Sequence, residues 1–326
     1  MPETKVRYGW VDWSKFICIS LMILCHTGMQ GDDSRGIVAQ VIYSFHMPAF
    51  FIISGFLFRP HAWWKTLRSF LLPILFFSAI KLVELLVIQY QHTGAICVGA
   101  LVNINDYWCN RTGHASLFTG QWFLFALLGC RLFMGDIGLF KVLGRYYWIV
   151  GPLCLAYVAV DDYFDGDYLF KNTYLYNSLV AMVFFCFGIF LKKREVDFSK
   201  VPVGLAAIFL IVGMALCFWN GRIDMSMADY GLNCVLFYVT AIVVSLSLFI
   251  LTAKCRARSW VTLYSMGTLA LLGSHMILYE VIFRILKVFG ICYGGYVSVV
   301  STIAIVLLNY PLISFCEKKA LWVLGK

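Results

Sequence analysis

The chain has 326 residues, of which 61% are hydrophobic, 17% aromatic and 13% charged, with a mean hydropathy of +0.82. Soluble domains carry about a quarter charged residues, so this composition cannot furnish a soluble surface. Soluble globular, disordered and coiled-coil classes are excluded, and the apolar runs are continuous rather than alternating as in outer-membrane strands. The composition is that of an all-α polytopic membrane protein.

Ten apolar runs follow one another, at about 13–29, 37–58, 70–90, 121–134, 146–160, 174–191, 201–219, 231–252, 260–286 and 291–316. The stretch between the fourth and fifth runs is itself half apolar. No repeat, low-complexity segment or soluble appendage interrupts the series, so one transmembrane domain is expected to fill residues 1–326. The first run is not expected to be a cleaved leader: it lacks a small-residue cleavage site and carries Lys15 and His26.

The 26 Lys+Arg against 17 Asp+Glu give a net charge of +9. In a soluble protein that excess suggests nucleic acid; here orientation in the bilayer accounts for it. Alternate connecting segments hold 17 and 5 basic residues, and the poor set (Arg35, Arg111, Lys171, Arg222 and Lys287) also holds nine acids. Such a split predicts cytoplasmic termini and an even number of spans. Nearly all of the 12 Cys fall inside apolar runs. Only Cys97 and Cys109 share a long polar loop, and a bridge between them is left open.

Polar groups inside spans are expensive and therefore functional candidates. Lys15 and His26 lie eleven residues apart on the first run. Helical geometry brings them within about 20° of one face and separates them by roughly 16 Å. Asp12, one turn before Lys15, is placed to pair with it. Lys15 is either a snorkelling anchor or a functional cation, and His26 either an interhelical hydrogen-bonding group or a reactive imidazole. The second run carries His46 near mid-membrane beside Pro48, then Ser54 and Gly55, which suit close helix approach. The fourth opens on Gln121 and Trp122, and the ninth holds Ser274 and His275, then Glu280 and Arg284. The Glu280–Arg284 and Lys81–Glu84 spacings read as structural ion pairs.

The predicted topology puts His26, His46, Gln121, Trp122, His275 and Glu280 in the middle or outer half. It puts Lys15, Arg59, Lys65, Arg68, Arg131 and Arg145 at the inner face. An imidazole-rich chamber with a basic mouth suits a phosphate-bearing donor and proton abstraction near neutral pH. Gly-rich phosphate loops, H-E-x-x-H, strand-borne G-x-S-x-G and zinc spacings are absent from the sequence, so no metal and no permanently bound cofactor are expected.

Asp12-Trp13-Ser14-Lys15, followed after ten residues by His26, resembles the first-helix motif of the acyltransferase-3 family of membrane acyltransferases. Phe45-His46-Met47-Pro48 with Phe50-Phe51 and Ser54-Gly55-Phe56 is similar to the family's second-helix motif. Lys65, Arg68 and Leu72-Pro73 match its basic third-helix entry, Gln121-Trp122-Phe123-Leu124 its W-F-L element, and His275 its late polar position. Many members have Arg where this chain has Lys15, which keeps the charge but not the bidentate fork. Some members also append an extracytoplasmic hydrolase-like domain, which these residues do not contain, so acceptor recognition is expected from the membrane domain and its loops.

The resemblance implies transfer of an acyl group, usually acetyl, from cytoplasmic acyl-CoA to a hydroxyl of a cell-surface or lipid-linked glycan, in the bacterial inner membrane. Lys15, Arg59, Lys65 and Arg68 are then expected to bind acyl-CoA, the donor substrate, and His26 to act as general base or acyl carrier. His46, Trp122 or Gln121 is expected to donate to the oxyanion, with His275, Glu280 and Asp12 as candidate acceptor or support residues. A proton-coupled transporter of a small polar solute is the alternative, though the two halves show no inverted repeat. A binding-only membrane protein leaves the Lys15–His26 spacing unexplained. The acidic stretch 161–167 reads as a solvated loop or a polyol or cation site, and Asn110-Arg111-Thr112 is a glycosylation sequon.

Overall fold

A computed structural model describes residues 7–28, 36–96, 121–135, 142, 144–164, 168–171, 173–291 and 294–325. Cys97, Cys109, the 110–112 sequon and residues 165–167 lie outside the described residues. Helix dominates, and the one β feature among the described residues is an isolated bridge between Asp224 and Asp229.

Each of the ten apolar runs contains helix. The elements are α1 (Gly9–Gly28), α2 (Ile37–Phe56), α3 (Trp63–Thr93), α4 (Trp122–Met134), α5 (Tyr147–Tyr163), α6 (Tyr174–Lys193), α7 (Val203–Asn220), α8 (Cys234–Ala253), α9 (Ser259–Met266), α10 (Thr268–Val288) and α11 (Gly295–Lys319). Seven of them, α2, α3, α6, α7, α8, α10 and α11, are long and apolar enough to cross a membrane. Helix α1 has the length but carries Asp12, Lys15 and His26, while α4 and α5 are shorter, at 13 and 17 residues. The protein is an all-α polytopic membrane protein.

Local chemistry sets the boundaries. The Thr173 hydroxyl accepts from Tyr176 N at the start of α6, and Asn233 accepts from Val235 N and Leu236 N at the start of α8. Lys192 and Lys193 close α6, where cations complement the exposed carbonyls. The ninth run departs from a single span: it breaks at Gly267 between α9 and α10. The last turn of α9 is held there by Lys15 Nζ and Thr268 Oγ1, both donating to the Ser265 carbonyl at 2.6 and 2.9 Å.

Helix α6 is the hub of one half of the bundle, packing against α2, α4 and α5; α1 is the hub of the other, touching α2, α8, α9, α10 and α11. The α2–α6 crossing is the tightest. A Cβ on Gly55 would collide with the Phe185 carbonyl, and one on Gly188 with the Ile52 carbonyl, so each helix presents its glycine to the other's backbone. The close approach read from Ser54-Gly55 therefore rests on Gly55.

Candidate active site

Antiparallel packing of α1 and α2 brings the start of one to the end of the other. Tyr8 and Trp10 lie edge-on to Phe56 with ring centroids 5.1 and 5.0 Å apart. Arg59 follows α2, and Lys65 and Arg68 lie on the first turns of α3. All three are exposed, and none forms an ion pair with a described residue. Lys65 rests over Trp64, and the half-buried Arg131 guanidinium lies 5.9 Å from the Phe58 ring, at the same end. Arg145 is also exposed. Arg59, Lys65, Arg68 and Arg131 thus gather around the end of α2 and the start of α3.

Asp12 is buried at this end, where Arg7 holds it at 2.7 and 3.2 Å and Thr262 donates to it at 3.1 Å. This differs from the expected Lys15 pairing: Arg7 lies nearer the carboxylate, and the fork of its guanidinium reaches both oxygens. The Lys15 ammonium reaches across instead to the Ser265 carbonyl, which ties α1 to the end of α9.

Eleven residues along α1, His26 meets His275 of α10, with ring centroids 5.1 Å apart and planes inclined at 48°. His46 of α2 lies within electrostatic range of His26, as does Asp224 in the turn between α7 and α8. Three imidazoles from three helices therefore share one region. Their roles differ. His46 Nδ1 sits 2.7 Å from the Ile42 carbonyl, and His275 Nδ1 lies 2.8 and 3.1 Å from those of Leu272 and Leu271. A carbonyl can only accept, so each Nδ1 carries a proton, and in the neutral form of each ring Nε2 is then a lone pair. His46 thus spends one N–H on the backbone, and its Nε2 is the atom that faces away from that bond. The His26 ring has no hydrogen-bond partner among the described residues, whereas His46 and His275 each commit one nitrogen to the backbone.

Gln121 is buried and exchanges hydrogen bonds with Ser78 of α3 at 3.3 and 3.5 Å, which leaves one amide N–H. Trp122 is half-buried beside Phe123, which in turn packs on Phe50 and Phe51 of α2. Glu280 pairs with Arg284 at 2.8 Å, and Arg284 also donates to Gln91 of α3 at 2.8 Å. The loop reading of Asp161 gives way to a structural one: Tyr176 donates to it at 2.7 Å and Lys171 lies 3.8 Å away.

Sequence reasoning missed two polar clasps. Ser274 donates to the buried Asn309 of α11. Thr27, next to His26, bonds Thr302 at 3.0 Å and the Ser298 carbonyl at 3.2 Å. Their signal was present as small polar residues inside apolar runs, but such residues mark packing far more often than chemistry. Among the described residues no group of three or more His, Cys, Asp or Glu could hold a metal.

No curated protein and no solved structure matches this chain. The family model described as an acyltransferase domain matches residues 8–312, nearly the whole chain and every helix just described up to the last turns of α11. The chain belongs to the acyltransferase-3 family and is a membrane acyltransferase.

Proposed function

We propose that the protein is an O-acyltransferase that moves an acyl group, most simply acetyl, from cytoplasmic acyl-CoA to a hydroxyl of a cell-surface or lipid-linked glycan. The observation that carries this reading is the two-ended character of α1, with Lys15 near a cluster of cations and His26 among imidazoles further along the same helix. Exposed Arg59, Lys65 and Arg68 attract the phosphates of CoA, and the pantetheine arm follows the Lys15–His26 stripe inward. This reading turns the basic end and both termini to the cytoplasm of a bacterial inner membrane, and treats residues 1–326 as one domain.

In the step proposed, His26 takes the proton of the acceptor hydroxyl as its oxygen attacks the thioester carbon. The new C–O bond forms, the C–S bond breaks, and the departing thiolate receives the proton from His26. The indole N–H of Trp122 and the remaining amide N–H of Gln121 are the donors suited to the transient oxyanion. Purified protein should bind CoA by calorimetry and slowly hydrolyse acetyl-CoA without an acceptor. Protein that is folded and does neither overturns the reading.

A further inference from the structure

The loop between α7 and α8 carries a carboxylate that no step above uses. Gln40 Nε2, in the first turn of α2, donates to the Cys217 carbonyl in the last turn of α7 at 3.0 Å. His26 stands in the last turn of the antiparallel α1. The ends of three helices therefore meet at one face of the bundle, and residues 221–233 start from it.

The loop is firmly built. Asn220 Nδ2 donates to the Tyr230 carbonyl at 2.7 Å. The Asn220 carbonyl and Oδ1 in turn accept from Leu232 N and Asn233 N at 2.7 and 3.0 Å. Asp224 and Asp229 exchange backbone hydrogen bonds at 2.8 and 3.1 Å. Ile223 and Met225, on either side of Asp224, are buried. Packing and hydrogen bonds of this kind hold the intervening side chain in one place.

The Asp224 carboxylate is half-buried and faces the imidazoles. It lies within electrostatic range of His26 and of Tyr43, whose ring meets that of His46 at 5.4 Å. Its Oδ1 caps the following turn, accepting from Ser226 N and Ser226 Oγ at 3.0 and 2.6 Å. A neutral Asn or Ser caps as well, so the turn does not require the charge. Nor does any cation claim it: Asp224 forms no ion pair with a described residue, and Arg222 is exposed. Of the groups around His26, the imidazoles of His46 and His275 offer no negative charge, and Asp224 does. An unpaired anion near an imidazole matters most when that imidazole is protonated, which in the step above happens only between the two proton transfers.

We infer that Asp224 is a positioning residue for the acyl transfer, a fixed anion on the α7–α8 loop that stabilises the His26 imidazolium formed as the acceptor hydroxyl is deprotonated. This rests on the acyl transfer proposed above and adds the group that offsets the charge on its base. The proton still passes from acceptor to His26 to thiolate, and Asp224 stays ionised throughout.

Purified full-length protein is assayed for acetyl-CoA hydrolysis, with CoA calorimetry and melting on the same preparations. Asp224→Asn and Asp224→Ser keep the cap and remove the charge. Both should melt and bind CoA like the wild type, with KM unchanged, while kcat falls at least threefold and by up to ~100-fold. Asp224→Glu restores the charge and should recover most of kcat. A carboxylate that only shapes the loop gives the opposite result, full kcat in both capping variants. Capping variants within threefold of wild-type kcat, or Asp224→Glu no better than Asp224→Asn, overturn the inference. So does failure of both capping variants to fold, since the charge would then serve the fold. A folded wild type that leaves acetyl-CoA intact fails the acyl-transfer reading itself, whereas normal wild-type turnover matched by Asp224→Asn removes Asp224 alone.

Discussion

Lys15 and Ser265 are joined by a 2.6 Å hydrogen bond, and His26 and His275 meet eleven residues further along α1 and ten further along the broken ninth run. Two nearly equal spacings between two contacts define a parallel register. A slip of one residue on either helix would carry the imidazoles about 100° out of facing. The cation at the first contact therefore helps to set the geometry at the second, whatever else it binds.

Lys15→Ala should show both effects separately. Loss of a charge-assisted hydrogen bond costs about 1.5–3 kcal/mol, read as a lower melting temperature of the unliganded protein. If Lys15 also holds donor phosphate, CoA affinity falls a further ~10–150-fold by calorimetry. Lys15→Arg should be mild in both. Unchanged melting with weakened CoA binding would remove Lys15 from the register and leave it a ligand group alone.

His26→Ala should leave the protein folded and CoA binding close to wild type, while transfer falls by about 10²–10⁴-fold. Acetyl-CoA consumption set beside calorimetry on the same preparation reads both quantities. Wild-type turnover in this variant would pass the role of base to His46 or His275, whose Nδ1 atoms are both held by the backbone.

Gly55→Ala and Gly188→Ala should each destabilise by about 1–3 kcal/mol or more, since the added methyl meets backbone on the opposite helix and not a movable side chain. Gly204 on α7 is the control, with nothing within 4 Å of an added Cβ. Gly204→Ala should be neutral or stabilising by up to ~1 kcal/mol. Melting of the three variants in one detergent decides it, and equal melting of all three would contradict the α2–α6 packing.

Orientation can be read with single cysteines. Cys255, flanked by Lys254 and Arg256, is the exposed cysteine among the described residues. As the one cysteine left in the chain, it should be missed by a membrane-impermeant maleimide in intact cells until the membrane is opened. A cysteine placed at the exposed Arg222 position, in an otherwise cysteine-free background, should label without opening. Labelling of both from the same side would sink the alternation of basic segments.

The spans were legible because a bilayer demands long apolar runs, and all ten runs contain helix. The Gly267 break was not, because one glycine in an apolar run is compatible with a continuous helix; only the Lys15 and Thr268 donors and Ile313 packed against it make it a terminus. Helical spacing placed Lys15 and His26 on one stripe. It could not say that His275, nearly 250 residues later, would be the neighbour of His26, because that depends on which helices pack. Asp12 was matched to the cation nearest in helical spacing, whereas Arg7, just before α1, approaches from outside the helix and takes it with two bonds. Glu84 read as a partner for Lys81, and the two do pair at 3.0 Å, since three residues on one helix bring them together without any help from packing.

The interlocked Gly55 and Gly188 also say where this molecule can breathe. Backbone pressed against backbone has no side chain left to rearrange, so α2 and α6 move as one body or not at all. The spanning stretch of α6 is 72% buried, against 28% for α3 and for α10. Any opening wide enough for a bulky substrate is then expected among the helices less buried than this pair, α3, α7 and α10 included, with His46 riding on the fixed body and His275 outside it. The distance between those two imidazoles then becomes a gauge of opening, measurable by spectroscopic labels on α2 and α10.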